Sequence, residues 1–72
     1  MKMIDDIETV YWDLRKERED VYTKRNDLVT FLMNHGDEVS PDQQSYMHQQ
    51  ASAMNAYVNA LTGRIEDLEN QL

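Results

Sequence analysis

The sequence predicts an all-α fold, in which two long antiparallel helices form a hairpin that assembles into a helical oligomer. Three observations carry this. Two segments of nearly equal length each repeat apolar residues at alternating steps of three and four, the period of a helix with one buried seam. One short break, holding a glycine, separates them. Outside that break, the 72 residues contain only one further glycine and a single proline that sits at a helix start. The whole chain, residues 1–72, therefore reads as a single helical domain.

The first helix is expected over about residues 4–34. Ile4, Ile7, Tyr11, Leu14, Arg18, Val21, Arg25, Leu28 and Leu32 form its seam, and Val10, Val29 and Phe31 widen it. Asp5, Asp6 and Glu8 lie at its start, where the helix dipole favours negative charge. A short N-terminal helix or a kink near Tyr11-Trp12 is the alternative to one continuous rod. Asn34-His35-Gly36 ends the helix, with the glycine expected in the left-handed conformation. Residues 35–40 form the loop.

The second helix is expected over about residues 41–71. Ser40-Pro41-Asp42-Gln43 is a start signal: a serine N-cap, a proline at the first helical position and a glutamine placed to complete a capping box. Met47, Ala51, Met54, Val58, Leu61, Ile65, Leu68 and Leu72 form the seam. Beside it runs a second stripe of Tyr46, Gln50, Ala53, Tyr57, Ala60 and Arg64. No Asp, Glu, Lys or Arg occurs from Met47 to Gly63. A surface helix ordinarily carries a charged face, so this one is expected to be covered by further chains. A lone hairpin has one narrow seam, and chains this short need a staple. Without cysteine, that staple is oligomerisation.

Composition excludes several classes. A net charge of -7 argues against DNA binding, which relies on neutralising many phosphates. It leaves room for a small phosphorylated ligand in a local basic pocket. No apolar run approaches the roughly 20 residues of a membrane span, and no leader is expected, so the location reads as cytoplasmic. His35 and His48 lack the spacing of carboxylates that a metal site needs. No catalytic triad, phosphate-binding glycine loop or zinc-protease motif occurs. The chain therefore reads as a binding protein, with no catalytic residues, no metal and no cofactor.

The binding candidates lie on the first helix. Arg15, Lys16, Arg18, Lys24 and Arg25 fall within eleven residues, interleaved with Glu17, Glu19 and Asp20. One reading is a solvated face laced with ion pairs. The other starts from Arg18 and Arg25, which occupy seam positions where leucine would be expected. An arginine there must find a carboxylate, a carbonyl or an anion. Trp12, off the seam beside Tyr11, is either a packed interface residue or a ring for stacking on a base.

The run Lys24-x-x-x-Leu28-x-x-Phe31-Leu32, then Val39-Ser40, Gln44, and Gln50-x-x-Ala53-Met54-x-x-Tyr57-x-x-x-Leu61-x-x-Arg64-Ile65 resembles the phage anti-CBASS sponge family (anti-CBASS protein 2). The resemblance implies a small all-helical homohexamer without enzymatic activity, in the cytoplasm of an infected host cell. It implies binding of cyclic dinucleotides such as cGAMP, with cyclic trinucleotides at a separate site. These messengers would be held intact, so that the bacterial antiphage response is never triggered. It places Lys24 near the phosphates, Tyr11 against a base and Arg64 at the trinucleotide site. Asp27 stands where that family often has a second lysine, and the N-terminus is more acidic. The alternative function is an acidic helical-hairpin inhibitor of another protein, or a structural coiled-coil module.

Overall fold

A computed structural model describes residues 6–72. Two helices, α1 (Ile7–His35) and α2 (Pro41–Glu69), are joined by a 3-10 turn over Gly36–Glu38. Each helix has 29 residues, about 44 Å at 1.5 Å per residue. They pack antiparallel into a hairpin with extents of 51 × 23 × 17 Å. No strand occurs among the described residues, so the all-α hairpin is the observed fold.

The helix starts follow from local chemistry. Asp6 is the N-cap of α1, and its carboxylate accepts from the Glu8 backbone N–H at 3.1 Å. The helix therefore opens at Ile7, later than the expected residue 4; the seam position Ile4 lies outside the described residues, as does any short helix before Asp6. From Ile7 onward α1 is unbroken, and no kink forms at Tyr11-Trp12. Ser40 caps α2 by accepting from the Gln43 N–H at 3.1 Å, with Pro41 in the first turn. Replacing Ser40 with alanine should lower stability by about 0.5–2 kcal/mol, read as a shift in the urea midpoint. At its far end α2 stops at Glu69, two residues before the expected 71, and the Asn70 N–H closes on the Glu66 carbonyl.

The turn corrects one expectation. Gly36 is right-handed, with φ -58° and ψ -30°, and no described glycine has positive φ. The chain tightens into the 3-10 turn instead of reversing through a left-handed residue. The Gly36 N–H donates to the Leu32 carbonyl. The Gly36 carbonyl is satisfied by the Gln44 side-chain amide, which folds back from the first turn of α2 and also reaches the Val39 carbonyl. A side chain has taken over the capping role that a left-handed glycine serves elsewhere.

Both seams meet as the spacing requires. Tyr11 and Leu14 of α1 pack with Leu61 and Ile65 of α2, flanked by Val10 and Leu68. This core sits at the end of the hairpin away from the turn. Ala51 is also buried, while Val21, Leu28, Leu32, Met47, Met54 and Val58 continue the seam half-buried toward the turn. At the termini the seam runs out into solvent, at Ile7 and Leu72.

Candidate functional site

The two seam arginines find neutral partners. Arg18 donates to the Thr62 hydroxyl at 3.2 Å, and Arg25 donates to the Asn55 side-chain oxygen at 2.9 Å and to Asn26. Arg18 and Arg25 are seven residues apart on α1, as Asn55 and Thr62 are on α2, so the antiparallel register brings both pairs together at once. Neither arginine has a carboxylate within 4 Å among the described residues. The Arg25 Nε is buried with no hydrogen-bond partner. Each guanidinium thus keeps its full charge, held in place by dipoles that do not neutralise it.

The expected lattice of ion pairs along α1 does not form. Among the described lysines and arginines, only Arg15 reaches a carboxylate, that of Glu69 at 4.0 Å. Lys16, Arg18, Lys24, Arg25 and Arg64 have none within that distance. Of the acids interleaved with them in sequence, Glu19 and Asp20 border the same space without pairing at that distance. A chain of net charge -7 therefore carries a strip of basic side chains, most of them without a paired carboxylate.

That strip borders a groove of about 660 Å³ between the two helices, within the roughly 300–1,000 Å³ range of small-molecule sites. From α1 come Trp12, Arg15, Lys16, Arg18 and Tyr22, together with the acids Glu19 and Asp20; α2 contributes Val58 and Thr62. The space exists because α2 presents two short side chains opposite a row of long ones. Trp12 is 57% exposed and Tyr22 50%. Arg15 lies over the Trp12 ring at 5.2 Å, and Arg25 lies over the Tyr22 ring at 4.9 Å. Both distances suit cation–π attraction.

The other sequence candidates are placed apart from the groove. Tyr11 is 7% exposed. Its hydroxyl donates to the Glu69 carboxylate at 2.7 Å and accepts from Arg15 at 3.0 Å. Trp12 meets its ring edge-on, with centroids 5.1 Å apart. In the single chain, Tyr11 is thus a core residue that steers Arg15. Lys24 is exposed but does not border the groove. Arg64 is exposed on the second stripe of α2 with Tyr46, Gln50, Ala53, Tyr57 and Ala60, all of them solvent-facing. Trp12 alone of the named site residues lines the groove, and Arg25 braces it from behind Tyr22. Sequence reasoning flagged Arg18 as anomalous without assigning it to the site, and it passed over Tyr22. The signal for Arg18 was its seam position, and for Tyr22 the row Trp12, Arg15, Lys16, Glu19, Tyr22, which repeats at helical spacing beside the seam.

No group of three or more histidine or acidic side chains among the described residues could hold a metal ion. No described helix is long and apolar enough to cross a membrane.

The family model described as Sequestin matches residues 8–67. The chain belongs to the Sequestin family. The match spans most of α1, the turn and nearly all of α2, so the groove and both arginine pairs lie within the Sequestin region. No curated protein and no solved structure matches the chain.

Proposed function

We propose that this protein is a sponge: it binds a cyclic nucleotide messenger, holds it intact and thereby silences a bacterial antiphage signal of the CBASS type. The observation that carries this reading is the set of guanidinium groups without carboxylate partners beside a groove with an exposed tryptophan. Arginine is suited to phosphate through paired, charge-assisted hydrogen bonds, and an aromatic ring supplies a stacking surface for a base. The Sequestin name accords with capture of a ligand. Nothing in the groove resembles a nucleophile paired with a base, and the reading requires no turnover.

The ligand class is a cyclic dinucleotide such as cGAMP, with cyclic trinucleotides as the second class. The exposed stripe of α2 supports assembly. Tyr46 is 66% exposed and Tyr57 43%, on a surface with small residues and no charge before Arg64. Packed against further copies in a homohexamer, this surface would be covered. Lys24 and Arg64 would then contribute to ligand sites made between chains. The working location is the cytoplasm of an infected cell, where such messengers are made.

Native mass spectrometry with a panel of cyclic di- and trinucleotides tests this. A hexamer carrying whole numbers of intact cyclic nucleotide is the expected spectrum, and heating the complex should release uncleaved ligand. A bare chain at micromolar ligand would favour an acidic hairpin that blocks another protein. Cleaved nucleotide would make it an enzyme. Replacing Arg18 with alanine removes a charge-assisted contact of about 1.5–3 kcal/mol. Dinucleotide affinity should then fall about 10- to 100-fold in calorimetry, by less at high salt because screening already weakens the wild-type contact.

A further inference from the structure

We infer that the groove is built for a ligand with two planar bases, one stacked on Trp12 and the other on Tyr22, with the charged linkage between them held by Arg18. This rests on the sponge reading and specifies its site. The two rings stand ten residues apart on α1, about 15 Å along the helix axis. One base stacked on one ring does not cover that span. Arg18 lies between them in sequence, fixed to Thr62 at 3.2 Å and without a carboxylate partner.

Each ring is also supported. A guanidinium sits over Trp12 at 5.2 Å, from Arg15, and another over Tyr22 at 4.9 Å, from Arg25. Both arginines are themselves tethered: Arg15 to the Tyr11 hydroxyl at 3.0 Å, and Arg25 to Asn55 at 2.9 Å. Each aromatic residue still keeps about half of its surface open for a base, 57% for Trp12 and 50% for Tyr22, and the tethers hold the supporting arginines in place before the ligand arrives. The same device therefore occurs twice, once at each end of the groove. It also accounts for Arg25, which lies outside the groove lining yet orients Tyr22. Glu19 and Asp20 border the space between, where a carboxylate can accept from the amino or imino groups of a base while excluding surplus phosphate.

The test is titration calorimetry of the full chain with two-base probes (cyclic di-GMP and cGAMP) and one-base probes (cyclic GMP and cyclic AMP). Wild-type protein should bind the two-base probes at least about 5-fold more tightly. Trp12→Ala and Tyr22→Ala should each weaken two-base binding by about 5- to 150-fold, the range of one base–aromatic stack. Trp12→Phe and Tyr22→Phe should restore most of it. Both rings are half-exposed, so the alanine variants should keep the wild-type circular dichroism. Two-base binding that is unchanged in Tyr22→Ala, or equal affinity for one-base and two-base probes, overturns this inference and leaves the sponge reading standing. A wild-type protein that binds none of the four overturns this inference, and if it also carries no cyclic trinucleotide in native mass spectrometry the sponge reading falls with it.

Discussion

Replacing Tyr11 with alanine should destabilise the hairpin by about 3–5 kcal/mol, the usual range for losing a buried aromatic ring. Tyr11 is 7% exposed and packs with Leu14, Leu61 and Ile65. Its hydroxyl is also the hub of a small network, donating to Glu69 and accepting from Arg15. Tyr11→Phe keeps the ring and removes only that hub. A net hydrogen bond contributes about 0.5–1.5 kcal/mol, and the partly exposed Glu69 and Arg15 side chains can turn to water, so a loss near the lower end is expected. Urea unfolding followed by circular dichroism separates the two variants. Ligand binding adds the decisive contrast. A core tyrosine predicts that Tyr11→Phe binds cyclic dinucleotide almost as wild type, while Tyr11→Ala loses binding in step with the fold. If Tyr11→Ala keeps the wild-type midpoint and loses the ligand, the ring leaves the core in the assembled protein and stacks on a base, as the family resemblance implies.

That contrast shows where sequence was legible. The step pattern alone places Tyr11 on the seam between Ile7 and Leu14, and burial follows from the position. Trp12, one residue on, is turned about 100° around a helix of 3.6 residues per turn and faces solvent. Period and capping were enough to specify the hairpin, its two seams and the α2 start. They placed the end of α1 within one residue but not the conformation of Gly36, because the turn is closed by a glutamine eight residues beyond it, and glycine grammar alone cannot foresee that side-chain cap. The groove was harder still. Its residues on α1 are ordinary flank residues until Val58 and Thr62 of the other helix prove too short to fill the space beside them. The arginine partners had a signal in principle: two pairs of polar residues at matching seven-residue intervals on opposite helices. Reading it required the register first.

Ile65→Ala should cost about 2–5 kcal/mol and should show whether folding and ligand capture are linked. Ile65 is 2% exposed at the centre of the core, one helical turn from Thr62 at the groove. A single-seam hairpin has few other buried residues to absorb the cavity, so the upper half of that range is expected. In a marginal small fold this is enough to populate the unfolded chain at room temperature. A ligand that binds only the folded state then stabilises it by mass action, by about 2.7 kcal/mol at a concentration one hundred times its Kd. Cyclic dinucleotide should therefore recover part or all of the lost midpoint, and the recovery should grow with the logarithm of ligand concentration. Raising the protein concentration should do the same if the exposed α2 stripe with Tyr46 and Tyr57 is an interface between copies, because association also draws on the folded chain. The two effects can be separated. Ligand rescue at the same concentration should shrink to about 0.4–1.4 kcal/mol when Arg18→Ala is combined with Ile65→Ala, whereas rescue by protein concentration should persist in full, since Arg18 lies on the groove and not on that stripe. A double variant that ligand still rescues in full would mean that the captured molecule is bound somewhere other than the groove.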